Sequence, residues 1–395
     1  MPQPTVSSAG LGSILRALRA ALLAAALAAC PGAAAAQDGD AAPSVCAPLH
    51  AAGDGHPDLQ QLFLASCRAL AGDAVGEPGG LASRLRVRVG GWLDTSYLDN
   101  DIDGRGASFD LDHANLYLDA RLDERWQVFV EGEYEHERDL TGLPDEREFE
   151  LEQGYLEYVV SDALKLRGGK FAAPIGYWTP VHWSVNVDTI EVPIHEATRM
   201  VPEQQLGGRV HGSLFPDWLA PLEPTIDYSL ALGYGADRLG TGKPDGLNGG
   251  LDLRLWSAGR HLLAFSYYAQ ENGELQDREE HNFMLYGQVA LPANLLLRSE
   301  YLHQDRSDRP GYTRNADVVY AKLRWDFHRR AYFNYRFQFG QDDRYGFTAD
   351  HTIHTLTLGW RPIPRVIGKL ETAFHDLDDG IESYVAWGAS LGVLF

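Results

Sequence analysis

Residues 382–395 read ESYVAWGASLGVLF, and this stretch decides the fold. Val385, Trp387, Ala389, Leu391, Val393 and Phe395 fall on one face of an extended chain. Tyr384, Ala386, Gly388, Ser390, Gly392 and Leu394 fall on the other, which is mostly small and weakly polar. Alternation with period two over such a length marks a strand between two unlike environments. A tilted strand of about 9–11 residues can cross a bilayer.

The same texture runs upstream to Ser83. Strands are predicted at 84–97, 108–121, 125–137, 148–160, 163–171, 206–215, 223–235, 248–257, 260–271, 279–290, 294–304, 315–327, 329–340, 350–361, 365–375 and 382–395. The count, about sixteen, is even, as single-chain bacterial barrels require. Alternate connections are very short, such as Ser161-Asp162 and Leu291-Pro292-Ala293. The others, among them 98–107, 138–147 and 172–205, are long and polar. Sorting of loops by length between two ends belongs to transmembrane barrels, not to soluble sandwiches.

Several strands separate their faces. Trp126, Val128 and Val130 alternate with Glu131 and Glu133; Leu323, Trp325 and Phe327 alternate with Lys322, Arg324 and Asp326. A basic residue facing lipid costs about 2–4 kcal/mol at the midplane. The charged faces must therefore line a hydrated lumen. The expected fold is an all-β, transmembrane antiparallel β-barrel. Its last strand resembles the closing strand of bacterial outer-membrane barrels, which typically end in Phe. That resemblance implies recognition by the barrel-assembly machinery and surroundings of outer-membrane lipid and lipopolysaccharide.

The chain has 395 residues, with 55 acidic against 34 basic and a net charge of −21. That balance argues against nucleic-acid binding, which needs a basic face. Past residue 36 there is no run of about 18 apolar residues, so helical spans are excluded. Residues 1–36 read as a signal peptide, with Arg16 and Arg19 before the apolar run Ala20–Ala29. Two processing sites compete: after Ala36, and before Cys30 in the lipobox-like Leu27-Ala28-Ala29-Cys30. Residues 37–82 form a small periplasmic segment. Cys46 and Cys67 are its only cysteines, and export makes a disulfide between them the expectation.

The longest loop, 172–205, is the third of the long ones. A structureless stretch of that length usually carries function. The flanking residues Gly168-Gly169-Lys170-Phe171, Pro174-Ile175-Gly176 and Gly207-Gly208-Arg209-Val210 resemble the phosphate-selective porin O/P-like superfamily, which has G-K-F-x-x-P-x-G at this junction. The resemblance implies an outer-membrane porin, a third external loop folded into the barrel, passage of small solutes with anions such as phosphate among them, and a homotrimer. It implies no cofactor. Arg84, Arg86, Arg88, Lys165, Arg167, Arg209, Lys322, Arg324 and Arg336 are expected to line the pore, as are Glu131 and Glu133. Arg254, Arg298, Lys369, Asp227, Asp252, Glu300, Asp326 and Glu371 are expected to face inward too. Within the loop His182, Asp188, Glu191, His195, Glu196 and Arg199 are candidates for the constriction. A mixed wall of this kind sets a transverse field and gives weak selectivity more often than strong.

Two other readings carry residues. Asp99, Asp101 and Asp103 precede Gly104 at alternate positions, matching the opening of a calcium loop, with Asp110 where the closing acid would stand. No helices flank it, and a solvated acidic loop is the simpler reading. An outer-membrane enzyme of lipase or protease type would need a nucleophile or paired acids beside one of His113, His303, His351 or His375. A substrate-specific gated uptake channel is the third class, although residues 37–82 are too few for a plug domain.

Overall fold

The computed structural model describes residues 85–101, 107–137, 146–181, 186–197, 200–216, 223–235, 246–258, 260–272, 278–309, 312–342, 349–377 and 383–395. Arg84, Asp103, His182, Arg199, the signal peptide, and the segment with Cys46 and Cys67 lie outside these residues. Sixteen strands follow in order: β1 (Arg86–Asn100), β2 (Ser108–Arg121), β3 (Trp126–Glu137), β4 (Glu146–Ser161), β5 (Leu164–Ala172), β6 (Gln204–Leu214), β7 (Pro224–Gly235), β8 (Leu247–Ser257), β9 (His261–Asn272), β10 (Arg278–Leu291), β11 (Leu295–Arg309), β12 (Tyr312–His328), β13 (Ala331–Asp342), β14 (Ala349–Trp360), β15 (Val366–Leu377) and β16 (Tyr384–Leu394). Each pairs antiparallel with its sequence neighbours, and β1 pairs with β16 to close the barrel. Closure leaves no unpaired strand edge, the condition for a sheet in hydrocarbon.

The closing seam explains the last residue. Phe395 N donates to Gly91 O at 2.9 Å, and Gly91 N donates to Phe395 O at 3.1 Å. A Cβ at Gly91 would stand 2.7 Å from the Phe395 ring and 2.2 Å from Asn115 O. Glycine is what lets β1, β2 and the terminal ring come this close.

The faces follow the alternation. On β12 Lys322 and Arg324 are 2% and 4% exposed, whereas Leu323, Trp325 and Phe327 are exposed. On β16 Trp387 and Leu391 face out, and Leu394 packs inside with Trp92, Tyr332 and Ile367. An apolar exterior around a polar, charged interior is inverted relative to a soluble protein, and a bilayer is the solvent that suits it.

Alternation changes phase within β4. The β3–β4 register slips between Glu131 and Gly132, leaving Glu152 without an opposite residue. Such an extra residue flips the faces of a strand. Glu150 and Glu152 therefore point inward before the slip, and Gln153 and Glu157 after it. Close by, Gly169 of the Gly168-Gly169-Lys170-Phe171 motif has φ +133°, and a Cβ there would lie 2.2 Å from Gly154 O. That glycine answers a backbone need of the sheet.

Candidate functional site

The segment between β5 and β6 folds back into the barrel and lies on the inner faces of β8–β15. Ala173, Ile175, Ile194, Met200 and Val201 of this loop pack with inward residues such as Tyr268, Met284, Leu302, Val318 and Ile353. Its entry is fixed by Gly176 N donating to Ser266 Oγ at 3.0 Å, by Tyr177 N on Glu300, and by Arg254 Nη2 on Gly176 O at 3.1 Å. Its exit is held by Gln304 Nε2 on Met200 O at 2.7 Å. Two glycines of the wall open notches for isoleucines: a Cβ at Gly388 would come 3.1 Å from Ile190, and one at Gly340 3.3 Å from Ile194.

Asp188 is the hub. Its carboxylate accepts from Lys322 Nζ at 3.0 Å, from Arg298 Nη1 at 3.4 Å and from Arg324 Nη1. Its carbonyl accepts from Tyr332 Oη at 3.1 Å and Asn334 Nδ2 at 3.0 Å. The next residues continue the pattern. Lys369 Nζ donates to Thr189 O at 2.9 Å, and Glu371 accepts from the amides of Ile190 and Glu191 at 2.9 and 2.7 Å. Arg336 reaches Glu191 O at 2.8 Å, and Gln338 accepts from Ile194 N at 3.0 Å. Where the loop is pressed against the wall its backbone groups are buried, and these wall side chains satisfy them.

The described constriction candidates, Asp188, Glu191, His195 and Glu196, thus sit against the wall. Asp188, His195 and Glu196 are buried, so they do not rim an aperture, and only Glu191 keeps 30% of its side chain exposed. Glu191 Oε1 stands 3.0 Å from His375 Nε2, and His375 Nδ1 meets His351 Nε2 at 3.2 Å. Burial opposes the charge on Glu191, yet His375 and Arg336 hold its pKa below the ordinary value. His195 Nε2 is 3.6 Å from Glu300 Oε2 and 3.8 Å from Glu196 Oε1, beyond hydrogen-bonding reach. Burial therefore prevails and pushes its pKa down to about 3, with Arg336 adding to the shift.

The other expected wall residues divide. Arg298, Lys322, Arg324 and Arg336 lie under the loop. Arg88 pairs with Asp119 at 2.9 Å, and Arg86 is exposed at the strand end, so the two described arginines of the expected ladder differ in setting. Glu131 accepts from Asn115 and Gln153, both at 2.8 Å, and Glu133 is 6% exposed. Arg167 binds Glu157 at 2.6 Å, and its guanidinium lies 3.9 Å from the Tyr155 ring centre. Arg209 pairs in register with Arg167, and Lys165 with His211. The transverse field expected between loop acids and a distant basic wall becomes, at Asp188, direct contact.

The calcium reading finds no support among the described residues. Asp99 accepts from Asn100 N and Tyr97 Oη, while Asp101 accepts from Val385 N at 2.7 Å. No three acidic, histidine or cysteine groups converge as a metal site among the described residues. Of the histidines, His113 holds Asp94 and His303 holds Asp317, each at 2.9 Å. Sequence reasoning missed Tyr332, Asn334, Gln338 and Gln304 as anchors. The amides and hydroxyl at inward positions of β11 and β13 were the available signal.

No family model and no curated protein matches the chain. Solved structures do. An anion-selective porin from Comamonas acidovorans matches with a TM-score of 0.58 at 11% identity, over 79% of this chain and 100% of that one. OprB of Pseudomonas putida matches at 0.55 and 11% identity, over 78% and 94%. The outer membrane channel DcaP of Acinetobacter baumannii matches at 0.53 and 10% identity, over 79% and 98%. At such identities the likeness is one of fold: this chain has the sixteen-stranded barrel of outer-membrane porins.

Proposed function

We propose that the chain is a porin of the bacterial outer membrane, a water-filled channel for passive diffusion of small hydrophilic solutes or ions. The observation that carries this is a closed barrel, apolar outside and charged inside, with its third long connection folded against the inner wall. Charge in a barrel interior is stable only where water or a counter-charge meets it. In this reading residues 1–36 direct export, 37–82 form a periplasmic segment with a Cys46–Cys67 disulfide, and 83–395 form the barrel. Arg88, Lys165, Arg167 and Arg209, on the wall away from the loop's anchors, line the path, with Glu131 and Glu133 buried in the wall behind them. Anions such as phosphate are the favoured cargo, since the chain's motif and one neighbour of like fold point the same way. A homotrimer is the proposed assembly.

Planar-bilayer recording of the purified protein tests the channel. Discrete open-channel steps are expected, and their absence at any voltage would sink the reading. Reversal potential in a salt gradient then ranks anions against cations. A zero-current potential on the cation side would remove the phosphate proposal and keep the porin.

A further inference from the structure

Asp188 is bound by the wall as a free anion would be bound. Three cationic groups from three different positions converge on one carboxylate: Arg298 of β11, and Lys322 and Arg324 of β12. Their side chains are 14%, 2% and 4% exposed. Asp326 takes the other edge of Arg324 at 2.7 and 3.0 Å, and buried Glu300 lies near Lys322. Aromatic faces wall it in: the Arg324 guanidinium lies 4.1 Å from the Tyr332 ring centre, and the Arg298 guanidinium 4.4 Å from that of Tyr177. Each arginine gives Asp188 one nitrogen and Lys322 gives its ammonium, so three charge-assisted hydrogen bonds between aromatic faces hold one carboxylate.

We propose that Arg298, Lys322 and Arg324 form a binding site for a small carboxylate, and that Asp188 is its resident occupant. The Asp188 side chain is in effect an acetate on a tether. A tethered ligand competes with free ligand at an effective concentration on the order of millimolar for a flexible tether, higher when other contacts hold it. Carboxylate solutes at high concentration therefore displace Asp188 and release the loop from the wall. That permeating solutes reach this site rests on the channel reading. The site itself does not, and the test below needs no conductance.

Arg199 is the single Lys or Arg between Lys170 and Arg209. Its neighbour Met200 is 1% exposed, with its amide on His195 O at 2.9 Å and its carbonyl accepting from Gln304. Tryptic cleavage after Arg199 in the folded, detergent-solubilised full chain therefore reports release of the loop. Sodium formate is expected to speed cleavage saturably, by about tenfold or more over sodium chloride of equal ionic strength. In Asp188→Ala, cleavage is fast in chloride and formate adds nothing. Formate still binds there, and raises the melting temperature of Asp188→Ala but not of the Asp188→Ala/Arg324→Gln double variant. Equal cleavage of the wild type in formate and chloride overturns the proposal, as does a formate response that survives loss of Arg324. Should Asp188→Ala fail to fold, Asp188→Asn replaces it, with an uncharged occupant that formate displaces at lower concentration than in the wild type; a midpoint equal to the wild type's overturns the site. A barrel that shows formate-dependent cleavage but no channel steps would sink the channel and keep the site.

Discussion

Lys322 Nζ donates to Asp188 Oδ2 at 3.0 Å, with the two side chains only 2% and 3% exposed. Removing one partner of a buried pair costs about 3–5 kcal/mol, because the other charge stays buried and unpaired. Here the cost is unequal. Loss of Lys322 leaves Asp188 with Arg298 and Arg324, whereas loss of Asp188 leaves three cations facing one another. Asp188→Asn is therefore expected to weaken loop docking toward the upper end of that range, and Lys322→Met by less. Native-state hydrogen exchange of amides 187–192 and 194 measures both. Equal losses would show that the cations do not share the carboxylate.

Gly388 and Ile190 make a second anchor that carries no charge. A Cβ at Gly388 would stand 2.7 Å from Leu98 Cδ2 and 3.1 Å from Ile190 Cδ1. Flexible side-chain tips can yield to a methyl group, so Gly388→Ala is expected to cost less than about 1 kcal/mol, below the usual overpacking range. Gly388→Val fills the notch and should expel Ile190, raising exchange at amides 188–192 while leaving the strands protected. Ile190→Ala in the Gly388→Val background should restore protection. If it does not, the valine acts on the wall and not on the loop.

Docking should also weaken with acid, in two windows. His195 faces Glu300, Glu196, Tyr320 and Arg336, and burial keeps it neutral, with a pKa of about 3. In a released loop its pKa returns to an ordinary value of about 6.5. The released state then binds more protons, so stability is lost as pH falls from about 6.5. Glu191 faces His375, His351, Arg336 and the carboxylate of Glu371, and its pKa is held below the ordinary value. Its contribution is present above the usual carboxylate range and is lost as pH falls through its lowered value. His195→Gln should abolish the first loss and keep the second. Exchange at amides 187–192 and 194 between about pH 7.5 and 2.5, corrected for intrinsic rate, separates the two. A first loss that persists in His195→Gln would show that His195 is not its source.

The barrel was readable because period two is a strict geometry. On β12 and β13 each residue's identity announces its side, and Lys322, Arg324, Asn334 and Arg336 all face in as that period requires. The same rule hid Glu152, because one unpaired residue opposite β3 shifts the phase of β4 and leaves no mark in composition. The loop carried no period at all. Asp188 meets Lys322 and Arg324 across 134 and 136 residues, a proximity set by how the loop folds back. Its acids could be nominated, but whether they would rim an opening or lie on the wall depended on partners such as Gln338 and Glu371, which alternation places inside without saying what they hold.

The lipid-facing reading of the exterior makes a prediction of its own. Leu356 is 38% exposed and adjoins Thr355 and Thr357, which point inward. Leu356→Arg should destabilise the barrel in lipid vesicles by about 2–4 kcal/mol, the cost of a basic residue near the midplane. Thr355→Val, on the lumen side, should cost less than about 1.5 kcal/mol, the worth of the one hydrogen bond it receives from Arg336. Unfolding in urea from vesicles checks both, and an equal cost at the two positions would contradict the assignment of faces.

The seam between Gly91 and Phe395 gives the last prediction. Two groups oppose a side chain at position 91: the Phe395 ring at 2.7 Å and the backbone carbonyl of Asn115 at 2.2 Å. A ring can turn away, but a carbonyl paired within the sheet cannot. Gly91→Ala is therefore expected to cost about 1–3 kcal/mol, as overpacking does, and to slow barrel closure. Phe395→Ala removes the ring and spares the backbone bonds between residues 91 and 395, so on its own it should be the milder change. The double variant distinguishes the causes. If the carbonyl is the obstacle, Phe395→Ala does not rescue Gly91→Ala, and the folded, heat-modifiable band on a gel stays depleted. Full rescue would mean that Gly91 exists to seat the terminal ring, and that the close approach of β2 is a consequence of it.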